Sequence, residues 1–254
     1  MSRADSRESR VESREPRAVL IDLDDTLFDH RASARRALET TAACDPALGR
    51  VPFDALEARH RAILEDLHRD VLEGRMTVDQ ARAQRFRMLI EEQGETCDAP
   101  RLDRLTATYR GAYQTGWACL AGARELLIEL KRRDRRIAIV TNNIVSEQVA
   151  KLKRLELETL VDALVVSEAV GISKPDAGIF EHALDQLGAE AAGAVMLGDS
   201  WSADIEGALG AGLRAVWFNP RRTERPGDRP EVAEIHALEP AAAVADIVLA
   251  TSVP

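Results

Sequence analysis

One stretch decides the reading of this chain: Ala18-Val-Leu-Ile-Asp-Leu-Asp-Asp-Thr-Leu27, AVLIDLDDTL. Four consecutive apolar residues, Ala18 to Ile21, stop abruptly at Asp22, with Asp24 and Asp25 close behind. An apolar run without alternation fits a strand buried on both faces of a parallel sheet, with the acids at its C-terminal end. Asp22 and Asp24, two residues apart, project to the same side of an extended or tightly turning backbone. Taken alone, the pair reads equally well as two carboxylates reaching one substrate atom or as a solvated acidic turn, because Asp is common in turns.

Similar apolar runs recur downstream: Ile137 to Val140, Ala163 to Val166, Ala194 to Leu197 and Ala215 to Phe218. Helical patterns such as Ile179, Phe180, Ala183, Leu184 and Leu187 separate them. Strands alternating with helices predict an α/β fold, a Rossmann-like doubly wound parallel sheet with its strand C-termini on one edge. Between Asp29 and about Gly116 the apolar positions instead step by three and four, as in Phe53, Leu56, Ile63, Leu67 and Val71. Thr77 and Gln80 have capping-box spacing, and Gly94 is placed to stop the helix that Thr77 starts. The expected organisation is therefore a core formed by residues 17–28 and 118–254, with an all-helical cap domain, 29–117, inserted over the strand ends. Residues 1–16 mix Ser, Arg and acids with almost no apolar content and are expected to form a disordered tail; Asp5, Glu8, Glu12 and Glu15 do not suit a transit peptide.

The ends of the later runs change the reading of the first. Thr141-Asn142-Asn143 follows the second run, and Gly198-Asp199, with Asp204 in GDSWSAD, follows the fourth. Four acids, Asp22, Asp24, Asp199 and Asp204, are thus expected on one edge. Carboxylates about 5 Å apart repel by roughly 3 kcal/mol per pair at an effective dielectric near 20, so the cluster calls for a cation. Oxygen-only ligands point to Mg²⁺. Ser173-Lys174-Pro175-Asp176 lies at the same edge. A lone Lys there would be a surface residue; beside the acids it can neutralise both a nucleophilic carboxylate and a transferring phosphoryl group.

These elements, in this order, resemble the haloacid dehalogenase-like (HAD) superfamily: DxDxT as Asp22, Asp24 and Thr26, then Thr141, then Lys174 in SKP, then GDxxxxD as Asp199 and Asp204. The resemblance covers Arg17 to Pro220, and the helical insert resembles the subgroup with a helical cap between its first two motifs. It implies that Asp22 is the nucleophile and Asp24 the general acid and base. Thr141 and Lys174 would hold the phosphoryl oxygens, with Asn142 and Asn143 beside them on the substrate. Asp22, the Asp24 backbone carbonyl and Asp199 would ligate Mg²⁺, with Asp204 binding it directly or supporting the shell. Dehalogenases of the superfamily carry a bulky non-acid two residues after the nucleophile, whereas this chain carries Asp24, which favours a phosphatase. The stretch Ser167 to Pro220 resembles pyrimidine nucleotidases and sugar-acid phosphatases in particular. The expected activity is hydrolysis of a small phosphorylated metabolite, a nucleoside monophosphate or sugar phosphate, through an aspartyl-phosphate. A phosphomutase is the nearest alternative; a 2-haloacid dehalogenase and a non-catalytic binding protein stand further off.

Composition sets outer limits. The net charge of -9 argues against gripping nucleic acid by backbone neutralisation. No run of the length a membrane helix needs is present and no secretory signal is readable, so a cytoplasmic protein, monomeric or homodimeric, is expected. Cys44, Cys97 and Cys119 lie far apart and suggest neither a disulfide framework nor a zinc site. Gly207, Gly210 and Gly212 read as a helix terminus and turn rather than a phosphate loop. Among the histidines, His30 stands out beside the first motif, at the expected hinge. Arg75, Arg82 and Arg85 read as a solvated helical face, with reach toward an anionic substrate end as the alternative. A lid joined by connections near 28–31 and 116–121 would enclose the site and admit only small molecules.

Overall fold

The computed structural model describes residues 16–72 and 74–250. In chain order its elements are β1 (Ala18–Ile21), α1 (His30–Ala43), the short turn α2 (Pro46–Gly49), α3 (Phe53–Leu72), α4 (Val78–Glu91), α5 (Ala99–Thr115), α6 (Ala123–Arg132), β2 (Arg136–Thr141) and α7 (Val145–Arg154). They continue with β3 (Ala163–Val166), the turn α8 (Ser167–Val170), α9 (Ala177–Leu187), β4 (Ala194–Gly198), a π-helical turn (Trp201–Glu206), the turn α10 (Gly207–Gly210), β5 (Arg214–Phe218), β6 (Ala233–Ile235) and α11 (Ala241–Leu249).

The strands form one all-parallel sheet in the order β3-β2-β1-β4-β5-β6. Alternate residues of each strand enter different cores. Val19, Ile21, Ile137, Ile139, Val195 and Leu197 pack with Leu126, Leu127 and Leu130 of α6 and with Val244 and Val248 of α11. Ala18, Leu20, Ala138, Val140 and Met196 pack with Ile179, Phe180 and Ala183 of α9. Both faces are covered, which is why the strands read as unbroken apolar runs. The strand order reverses at β1, so the crevice of this doubly wound sheet opens where β1 and β4 end.

Helices α1–α5 all lie between β1 and α6. The chain enters and leaves this helical segment through two passages held together: Asp29 N–H donates to the Ala118 carbonyl, Leu120 N–H donates to the Leu27 carbonyl, and Phe28 bridges to Cys119. Phe28 anchors the junction, with Tyr113 and Trp117 edge-on at 6.2 Å each. The capping box at Thr77 and Gln80 is formed, and Gly94 adopts φ 75° just beyond the end of α4.

Two expectations shift. Thr141 is the last residue of β2 rather than a residue after it, and β6 escaped notice because three residues containing Glu234 make no apolar run. The expected tail lies outside the described residues except for Pro16, which is buried. Among the described residues, no helix is long and apolar enough to cross a membrane.

Candidate active site

Asp22 continues β1 by one residue, its N–H donating to the Leu197 carbonyl of β4 at 3.0 Å. The chain then folds sharply: the Leu23 carbonyl accepts from Leu27 at 3.0 Å and Phe28 at 2.8 Å, and Asp25 takes the left-handed φ of 65°. Asp tolerates that conformation better than most residues, and here its carboxylate also accepts from the Arg31 N–H at 2.9 Å. Thr26, fully buried, accepts the Asp199 N–H on its hydroxyl at 3.1 Å, tying this loop to the end of β4.

Lys174 joins the two edges. Its Nζ donates to Asp22 Oδ1 at 2.7 Å, to Asp204 Oδ1 at 2.6 Å and to the Val140 carbonyl at 2.8 Å, so all three ammonium protons are used. Asn142 clamps the Lys174 backbone from both sides, donating to its carbonyl at 2.9 Å and accepting its N–H at 2.8 Å. The Asn142 side-chain amide thus positions the lysine loop. Asp204 Oδ2 accepts the Ser200 N–H at 2.9 Å and lies against Gly198, where a Cβ would stand 2.3 Å from that same oxygen.

Asp22, Asp199 and Asp204 bring carboxylate oxygens within 4.8 Å of one another. Three carboxylates share one ammonium in a largely buried setting. Burial pushes Asp22 up to about 7, with Lys174 pulling the other way and Asp204 adding repulsion. Burial and the neighbouring Asp22 and Asp204 push Asp199 to about 8. Lys174 is raised despite burial, held charged by Asp204 and Asp22. An all-oxygen set with unbalanced negative charge fits a hard divalent cation.

Asp24 is not in that cluster, which corrects the expectation that four side-chain carboxylates converge. Its carboxylate turns instead to α7: Oδ1 accepts from Lys151 Nζ at 2.6 Å, and Oδ2 from Gln148 at 2.8 Å and Asn143 at 3.0 Å. Burial works against the charge, but Lys151 overcomes it and holds Asp24 well below the usual carboxylate range. Gln148 also donates to the Thr141 hydroxyl at 2.8 Å. Lys151 itself is completely buried, pairs with Glu147 at 3.2 Å and lies 4.6 Å over the Phe28 ring. Sequence reasoning missed Gln148 and Lys151. The signal was there: α7 carries them on the same stripe as Leu152, where an amphipathic helix should be apolar.

A cavity of about 810 Å³ opens from this edge, walled by Asp24, Asn142 and Asn143 on the sheet side and by residues of α3, α4 and α5 on the other. His30 lines it and hydrogen-bonds the Tyr113 hydroxyl at 2.8 Å. The solvated face expected for the helical arginines is overturned at two positions. Arg82 pairs with Glu147 of α7, linking the helical segment to the sheet side, and Arg85 is buried. Arg75 is exposed and pairs with Asp70.

Comparison with known proteins agrees with this architecture. The YfnB hydrolase of Bacillus subtilis (strain 168) is 30% identical over 221 residues, 86% of this chain and 88% of that one. Its crystal structure, bound to magnesium, superposes with a TM-score of 0.74 and 28% identity over 92% of this chain and 100% of that one. Ribulose-1,5-bisphosphate 5-phosphatase of Halopiger xanaduensis is 32% identical over 80% of this chain and 84% of its own length. Pyrimidine 5'-nucleotidase PynA of Streptococcus pneumoniae is 28% identical over 87% and 91%. With a family profile matching residues 16–212, Asp22 to Asp204 included, the chain belongs to the haloacid dehalogenase-like hydrolases.

Proposed function

We propose that the protein is a Mg²⁺-dependent phosphomonoester hydrolase acting on a small metabolite, a sugar phosphate or nucleoside monophosphate, through an aspartyl-phosphate on Asp22. The observation that carries this reading is the Asp22 carboxylate, buried at the sheet switch point with Oδ1 fixed by Lys174 and two further carboxylates beside it. The names of the phosphatase and nucleotidase relatives support it, as does the magnesium in the YfnB structure.

In this reading Asp22, Asp199, Asp204 and the Asp24 carbonyl would hold the ion, which supplies charge neutralisation that lets a phosphate dianion approach a carboxylate. The remaining chemistry belongs to the chain. Lys174 fixes the rotamer of Asp22 through Oδ1, leaving the second oxygen to attack phosphorus in line. As the P–O bond to the alcohol breaks, Asp24 gives its proton to the leaving oxygen. Water then attacks phosphorus, Asp24 takes the water's proton, and Asp22 is released with inorganic phosphate. The ionised Asp24 of this arrangement suits the second half; binding a phosphate dianion next to it would favour the protonated form the first half needs. Residues 29–117 act in this reading as the cap that closes over the site and excludes macromolecular esters.

The test is phosphate release across small phosphate esters with Mg²⁺, run beside Asp22→Asn. We expect the variant to lose turnover at least about 10³-fold while keeping its melting temperature within a few degrees, because an amide is isosteric but not nucleophilic. Substantial hydrolysis by the pure variant overturns the assignment. Recovery of an isomerised sugar phosphate in place of free phosphate would make the enzyme a mutase.

A further inference from the structure

Arg85 of α4 is 5% exposed, yet among the described residues no hydrogen bond or ion pair reaches its guanidinium, and its Nε is without a partner. Other arginines of the helical segment are neutralised: Arg82 by Glu147, Arg110 by Asp79, Arg101 by Asp45 and Glu95. Arg85 has only ring faces, its guanidinium carbon 5.0 Å from the centroid of Tyr109 and 5.9 Å from that of Phe86. Ring faces offset part of the cost of burying a cation, not the whole.

Among the described residues, no carboxylate pairs with Arg85. Burial, with Arg85 and His30, holds His60 neutral, its pKa well below 6.5, and burial pushes the Tyr109 phenol up. Glu147 is already engaged by Arg82 and Lys151. Arg82 adds a second cation rather than an anion, and arginine cannot escape by losing its proton. Arg85 nonetheless lines the same cavity as Asp24. A buried cation with no ion-pair partner among the described residues, facing a cavity that Asp24 also lines, is a charge awaiting its partner.

We propose that Arg85 receives a second anionic group of the substrate: the leaving alcohol carries a carboxylate or another phosphate whose oxyanion pairs with this guanidinium. The inference rests on the phosphomonoester reading of the Asp22 edge. It narrows the substrate class to esters anionic at both ends and predicts that esters of neutral alcohols are handled less well.

Matched pairs test it: 3-phosphoglycerate against glycerol 3-phosphate for a carboxylate, and fructose 1,6-bisphosphate against fructose 6-phosphate for a second phosphate. In wild-type protein kcat/KM should favour the doubly anionic member of at least one pair, and that pair identifies the oxyanion. Arg85→Met should erase the preference, roughly 10- to 100-fold and chiefly through KM, the range lost with a hydrogen bond to a charged group. Hydrolysis of p-nitrophenyl phosphate should stay within about threefold, and Arg85→Lys should restore part of the selectivity. Arg85→Met should also raise the melting temperature, since replacing an unpaired buried charge by an apolar side chain of similar size removes its desolvation penalty. No preference in wild type, or an equal loss on every substrate including p-nitrophenyl phosphate, overturns the proposal. Should nothing be hydrolysed, the phosphatase reading fails, and calorimetry with 3-phosphonopropionate and propylphosphonate decides the role of Arg85 on its own. Tighter binding of the carboxylate member, lost in Arg85→Met, upholds it; equal binding overturns it.

Discussion

At the scale of single residues, the site depends on how closely groups approach as much as on which groups they are. Gly198 shows this most sharply, because any Cβ there would overlap the Asp204 carboxylate that anchors Lys174. Gly198→Ala should cost about 1–3 kcal/mol of stability, the usual range for overpacking, and should lower phosphate release by more than tenfold. Chemical denaturation and a release assay read the two effects; an unchanged enzyme would mean that Asp204 can move aside freely. Much of this level was legible beforehand. Asp22, Thr141 and Asp199 stand where apolar strands end, and Lys174 and Asp204 lie in the segments that follow β3 and β4. Gln148 and Lys151 do not: their purpose shows only in the fold, where both side chains of α7 reach the Asp24 carboxylate. Arg85 was visible as an arginine, but its burial and lack of a partner are properties of packing, which no pattern of spacing reveals.

At the scale of elements, apolar runs located β1 to β5 to within a residue at each end, since burial on both faces leaves an unmistakable trace. The edge strand β6 left none. Within the helical segment, His60 of α3 packs against Phe86 of α4 and Tyr109 of α5, with Arg85 and His30 as the charged or titratable groups bearing on it. Burial is the main cause of its lowered pKa, and Arg85 and His30 add to it. The folded protein therefore takes up this proton less readily than the unfolded chain, whose histidine titrates near 6.5. Stability contributed by neutral His60 is complete above that pH and is lost as pH falls below it, because the unfolded state then binds the extra proton. Melting temperatures of wild type and His60→Phe, compared between pH 7.5 and 5, should converge or cross on acidification. A difference independent of pH would mean that His60 takes up its proton as readily in the fold as in the unfolded chain, as an imidazole exposed to water does.

At the scale of the whole molecule, three carboxylates and one ammonium are gathered where two strands from distant parts of the chain end side by side. A cation that binds only this folded arrangement stabilises it by RT ln(1 + [L]/Kd). Mg²⁺ at about a hundred times its dissociation constant should add roughly 2.7 kcal/mol, seen as a rise in melting temperature that EDTA reverses. Asp199→Asn should blunt the rise. Full activity and an unchanged melting temperature in excess EDTA would exclude the divalent-ion reading.

The central place of β1 also sets a schedule. Its neighbours are β2, whose first paired residue is Arg136, and β4, whose first is Ala194, while β1 begins at Ala18. On a ribosome adding 5–20 residues each second, the first strand waits on the order of ten seconds for one flank and longer for the other. Throughout that interval Ala18 to Ile21 is a bare apolar tetrapeptide with no hydrogen-bonding mate, the kind of segment chaperones and stray strands capture. Helices α1–α5 emerge during the wait and need no distant partner to begin forming. The hub of the sheet is thus translated first and gains both flanks only when β4 emerges, so slowing synthesis between residues 30 and 135 prolongs the vulnerability of the strand that carries Asp22.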